Sequence, residues 1–153
     1  MANWTADELI RQIEATRATP GATGNVHFSM KAFLQDRDGI NEKLKNGLYA
    51  EPALVPESPW LGKETPAKPD VSAKLTEGGV AVQMNLPRGK TPWQWLVRTQ
   101  TADGWKTTIV PGGESQHVLK LMDGVEPKAV IVSAISRLGR EGRPTRAEVS
   151  KRD

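Results

Sequence analysis

The chain has no cysteine, only two histidines, few aromatics, and no apolar run long enough to cross a bilayer. Each shortage removes a class of chemistry. Without cysteine there are no disulfides, thiolate metal sites or thiol nucleophiles. His27 and His117 stand too far apart in sequence to show metal-ligand spacing, so neither a metal nor any other cofactor is expected. A Gly-x-Ser-x-Gly nucleophile elbow is missing. Gly78-Gly79 and Gly112-Gly113 read as turns, because neither lies between a strand and a helix ahead of Lys-Ser or Lys-Thr. The opening residues Met1–Glu8 carry no basic and no apolar stretch, so no secretory leader is expected there; the chain reads as cytoplasmic or as lacking its native start.

What is present fits one ordinary domain, or a small domain with an appendage, in 153 residues. Charged residues make up 25% and apolar ones 37%, the balance of a folded chain with much loop. Fourteen glycines and eleven prolines point to turns and extended structure. The net charge of +3 gathers toward the end, in Arg137, Arg140, Arg143, Arg146, Lys151 and Arg152. Such a run leaves a nucleic-acid partner open as an alternative. Glu141 and Glu148 interrupt it and no aromatics interleave it, so solvated strand edges are the plainer reading.

Along the chain, Thr5-Ala6-Asp7-Glu8 has the form of a capping box ahead of Leu9, Ile10 and Ile13 at helical spacing. Pro20-Gly21 stops that helix. Val26, Phe28 and Met30 alternate with Asn25, His27 and Ser29, which predicts a strand. A second helix is predicted from about Asp38, a plausible cap, with Ile40 and Leu44 facing inward. Prolines 52, 56, 59, 66 and 69 then enforce extended chain, and Pro66–Pro69 reads as a linker.

Beyond it, seven alternating segments are separated by turns: Val71–Leu75, Val80–Leu86, Trp93–Val97, Trp105–Ile109, His117–Leu121, Ala129–Ile135 and a last one marked by Ala147 and Val149. The turns include Ala102-Asp103-Gly104 and Asp123-Gly124. Turn spacings of about 8 to 12 residues predict an immunoglobulin-like sandwich. The fold class expected is therefore mainly β.

The first part resembles the end of a known barrel. Val26–Lys31, then Tyr49 and Pro52–Pro56, then Pro59-Trp60-Leu61, resemble the final strand–helix segment of the family 10-like glycosyl hydrolases. Val130–Glu141 resembles the penultimate strand and turn of the fibronectin type III-like domain that follows the barrel in those proteins. They are bacterial and usually exported, with a (β/α)8 barrel ahead of the sandwich. The resemblance implies that residues 1–62 are an α-β-α remnant of such a barrel and that 66–153 are a fibronectin type III-like β-sandwich. It also implies an extracellular or periplasmic parent, the rest of that barrel as a partner, and polysaccharide as the ligand class. A membrane partner is not expected.

This chain can supply one barrel strand of eight, and no pair of acids on converging elements. Glycoside hydrolysis generally needs two carboxyl groups across the scissile bond. No catalytic residue is therefore expected here, whereas the parent would be a glycoside hydrolase. Ser29 and Lys31, at the carboxyl end of the predicted strand, would contact substrate in an intact parent, or simply meet backbone and solvent. Trp60 would stack on a sugar or plug a seam between the two parts. His27 and His117 read as structural. Among Trp93, Trp95 and Trp105, a core or interface role competes with sugar stacking, and Trp105 is the expected surface aromatic. The expected function is a non-catalytic accessory portion of a glycosyl hydrolase; the alternative is a stand-alone carbohydrate- or protein-binding module.

Overall fold

The structure is a computed structural model that describes residues 4–101, 104–121 and 126–151. The expected turn residues Ala102, Asp103, Asp123 and Gly124, and the basic Arg152, lie outside the described residues. The chain divides between Ala53 and Leu54 into two compact units. That break falls ahead of Pro66–Pro69, where the proline pattern had put it.

In the first unit, helix α1 (Ala6–Ala18) is capped by Thr5, whose Oγ1 accepts the Glu8 N–H at 3.3 Å. The Glu8 carboxylate turns to Arg11 and Gln12. A second cap comes from far along the chain: the Ala6 N–H donates to Asp38 Oδ2 at 3.0 Å. Asp38 was expected to cap the later helix, α3 (Ile40–Lys45). Its φ of +53° instead belongs to a tight turn after the short helix α2 (Lys31–Leu34), and Asp36 accepts the Asn41 N–H in its place. Lys43 lies 2.9 Å from Asp7 and 3.6 Å from Asp38, closing the arrangement. Ile40 and Leu44 face inward as their spacing predicts, and with Ala6 and Ile13 they form a small buried core.

The strand predicted at Val26–Met30 does not form. Among the described residues of this unit there is no strand, and Val26 and Phe28 are fully exposed. The α-β-α arrangement is corrected to three helices with an extended connection. The physical reason is that alternation marks two faces, whereas a strand exists only through pairing of its backbone with a neighbour.

Among the described residues the second unit is a seven-stranded β-sandwich, and the protein is mainly β. Its strands are β1 (Asp70–Thr76), β2 (Gly79–Asn85), β3 (Gln94–Thr101), β4 (Gly104–Pro111), β5 (Gln116–Leu119), β6 (Ala129–Ile135) and β7 (Thr145–Ser150). They pair in the order β4-β3-β6-β7-β1-β2-β5. Strand β7 serves both layers. Its first four residues run antiparallel to β6, and Val149 and Ser150 then pair in parallel with Ala73 and Lys74 of β1.

Val80, Val82 and Met84 of β2 and Leu119 of β5 meet Trp95 and Val97 of β3, Val110 of β4 and Val130, Val132 and Ala134 of β6 in one core. Strand β6 is buried on both faces, as its unbroken apolar run implies. Its outward Ser133 hydroxyl donates to Glu141 at 2.6 Å, and Arg98 grips the same carboxylate through both terminal nitrogens at 2.9 and 3.2 Å.

Burial pushes the Glu141 carboxyl up, but the hydrogen bonds from Arg98 and Ser133 outweigh it and hold the group below its ordinary 4.5. A lowered acid stabilises the fold above its unfolded value and loses that contribution as pH falls through the folded one. The replacement Glu141→Gln keeps an acceptor for Ser133 and loses the charge. It should cost about 1 kcal/mol at neutral pH, and the gap from wild type should close in acid, once the pH is taken well below the ordinary 4.5 of the group. Urea midpoints at the two pH values check this; a gap of equal size at both would refute the charge argument.

The turn after β6 fastens the proline-rich segment to the sandwich. Ser136 Oγ accepts from the N–H groups of Leu138 and Arg140, and Gly139 takes a left-handed φ of +78°. A Cβ on Gly139 would sit 2.8 Å from the Val55 carbonyl, so this residue must be glycine on two counts. The Leu138 carbonyl accepts the Ser58 N–H at 2.9 Å, while the Arg140 guanidinium meets Glu57 and the Lys63 carbonyl. Among the described residues no helix is long and apolar enough to cross a membrane.

Candidate functional site

Each unit carries a concavity of its own. In the first, a groove of about 340 Å³ is lined by Trp4, His27, Phe28, Ser29, Phe33 and Arg37 among others. The helices α1 and α2 form its walls and the extended connection its rim. His27 is fixed from two sides: its Nε2 lies 3.2 Å from the Tyr49 hydroxyl, and the Phe33 ring meets it edge-on at 5.2 Å. Tyr49 in turn lies under Arg17, whose guanidinium is 5.6 Å from the ring centre and donates to the Leu48 carbonyl. These contacts make His27 a bridging side chain. Ser29 lines the groove, and its Oγ accepts the Lys31 N–H at 3.4 Å. Lys31 is exposed and does not line it.

The second concavity lies on the sandwich, between the proline-rich segment and the start of β3. It has a volume of about 600 Å³ and is lined by Glu64, Pro66, Lys90, Trp93, Ser136 and Arg137, among others. The β3–β6 register builds it. Gln94 lies opposite Ile135, so Trp93 falls beside Ser136 and Arg137, and the Trp93 N–H donates to the Ile135 carbonyl at 2.9 Å. The Arg137 guanidinium stacks 4.7 Å above the Trp93 ring, which remains 52% exposed.

Trp105 is 47% exposed on β4, and Trp60 is 77% exposed in the proline-rich segment. Neither lines this cleft, so the candidate aromatics do not converge. Trp95 is buried in the core, two residues from its exposed neighbour Trp93.

Nothing in the sequence joins Trp93 with Arg137, which are distant in the chain; only the pairing of β3 with β6, neighbours in the sheet but not in the sequence, does so. The basic stretch is also less free than its composition implies. Within it Arg140 and Arg146 meet Glu57 and Glu148, and outside it Arg98 of β3 meets Glu141. His117 lies 3.2 Å from Glu114.

Chemically, the first groove has no acid among its lining residues and the second has one, Glu64. Neither presents the two opposed carboxyl groups that glycoside hydrolysis generally uses. No group of three His, Asp or Glu among the described residues is placed to hold a metal ion.

No protein-family model matches the chain. Over 71 residues, 46% of its length, it is 41% identical to the "Glycosyl hydrolase YngK" of Bacillus subtilis (strain 168). The chain spans 14% of the length of that protein. Among solved structures, an Fn3-like protein from Clostridium thermocellum aligns over 57% of this chain and 92% of its own, at 20% identity and a TM-score of 0.40. The FN3 domain of human collagen XX aligns over 63% of this chain and 99% of its own, at 16% identity and a TM-score of 0.41.

Proposed function

We propose that this chain is a non-catalytic, carboxy-terminal accessory portion of a family 10-like glycosyl hydrolase. In this reading its first 62 residues belong to the end of a barrel and residues from 66 onward form the trailing sandwich. The observation that carries it is the 41% identity to a glycosyl hydrolase of which the chain spans 14%. The bare connection supports it: Val26, Phe28 and Met30 alternate like a strand and stand exposed, so neighbouring strands supplied by a parent would give them both pairing and burial. In such a parent Ser29, Lys31 and Trp60 are the residues nearest to substrate, and the sugar-cleaving acids lie elsewhere.

The test is turnover. The purified chain, incubated with neutral and acidic oligosaccharides, is expected to release no new reducing ends, whereas a longer protein ending in this chain hydrolyses one of them. Hydrolysis that follows the isolated chain through successive purification steps would overturn the accessory role.

A further inference from the structure

We propose that the cleft around Trp93 and Arg137 binds an acidic sugar residue within an oligosaccharide. The inference rests on the reading of the chain as part of a carbohydrate-acting protein and goes beyond it, because it places a binding subsite on the sandwich.

The charge pattern picks out this cleft. Arg98, Arg140 and Arg146 each spend their guanidinium on a carboxylate of the chain. Arg137 instead lies against an aromatic ring, 4.7 Å from the centre of Trp93, and has no carboxylate partner among the described residues. A stacked guanidinium is held in place by its flat face and keeps its N–H edges for an oxyanion, which it can grip in a forked geometry. Lys90 lines the same cleft as a second cation, against the single acid Glu64. The balance favours an anion.

The other half of the site is the ring itself. Trp93 is half-exposed on the wall of a cleft of about 600 Å³, inside the range usual for small-ligand sites. A broad apolar face beside a cation suits a sugar ring, which stacks its C–H face on an aromatic while its carboxylate meets the guanidinium and its hydroxyls meet polar groups such as Thr91 and Glu64. A simple anion site would not need the ring. A neutral-sugar site would not need the unspent arginine.

Isothermal titration of the full chain with a short oligogalacturonide, a cello-oligosaccharide of equal length and an oligoglutamate peptide tests this. The oligogalacturonide is expected to bind, to weaken as salt is added, and to exceed the neutral glycan and the peptide. Arg137→Gln should weaken it about ten- to a hundredfold, the loss of a charge-assisted contact, with an unchanged melting temperature. Trp93→Ala should abolish measurable binding. Trp93→Phe, which retains a stacking face without disturbing the strand, should retain it. No saturable binding at millimolar oligogalacturonide, equal binding of the neutral glycan or the peptide, or affinity untouched by Arg137→Gln would each overturn the subsite. A null titration leaves the accessory role standing, since that role falls only to turnover by the chain itself.

Discussion

Replacing Trp95 by alanine is expected to lower the stability of the sandwich by about 3–5 kcal/mol, a large share of what a domain of this size has in total. Trp95 is the largest fully buried side chain, and it packs in the one core that β2, β3, β4, β5 and β6 share. Removing it empties a volume that neighbours in strands cannot refill, because their backbones are fixed by the ladders on either side. Its indole Nε1–H is buried with no hydrogen-bond partner among the described residues, an arrangement that costs stability. Trp95→Phe therefore should cost less than half as much as Trp95→Ala, since it keeps most of the packing and removes the unmatched donor. Urea unfolding of the two variants, followed by far-ultraviolet circular dichroism, checks the order. Equal losses would mean that the packing a phenylalanine retains contributes nothing, and would refute the cavity argument.

Strand β2 shows what the sequence makes legible. Val80, Val82 and Met84 alternate with Ala81, Gln83 and Asn85 and all three are buried, so period-two spacing finds the inner face of β2 directly. The continuous apolar run of β6 likewise announces burial on both faces. Each of the seven expected segments became a strand because turn residues bounded it and its own pattern supplied the face. What local pattern cannot carry is the choice of partner. The switch of β7 from β6 to β1 depends on two residues, Val149 and Ser150, whose composition says nothing of either neighbour.

The Val26–Met30 segment is the converse case. Its alternation is as clean as that of β2, yet no strand lies beside it, and Val26 and Phe28 meet solvent. The Trp93–Arg137 cleft escaped for a related reason. Trp93 and Trp95 stand two apart, the spacing of one strand face, but β3 begins at Gln94, and the residue before it leaves the core for the rim. Asp38 was recognised as a capping residue by type, and it does cap a helix; the helix is α1, thirty-two positions back. Residue chemistry was readable in each instance, and three-dimensional address was not.

Ile13→Ala should unfold the first unit and leave the sandwich intact. The buried core of that unit consists of Ala6, Ile13, Ile40 and Leu44, and Ile13 is its one completely enclosed member on α1. Truncating a buried isoleucine costs about 2–5 kcal/mol. A core of four residues has little to set against that, and helices of six and four residues cannot persist in water without tertiary support. The polar ties do not compensate. The Lys43 contacts to Asp7 and Asp38 join exposed groups and fall in the class of weak surface pairs.

Hydrogen exchange followed by mass spectrometry reads the outcome segment by segment. In the wild-type chain, amides before Pro66 should already be less protected than those of β2, β3 and β6, with the amides of Thr23–Met30 exchanging first because none of them donates to a backbone carbonyl among the described residues. In Ile13→Ala the helical amides of α1 and α3 should lose protection together while those of the strands keep theirs. Simultaneous loss in both sets would mean that the two units fold as a single cooperative body, and the picture of a separable helical appendage would have to be given up.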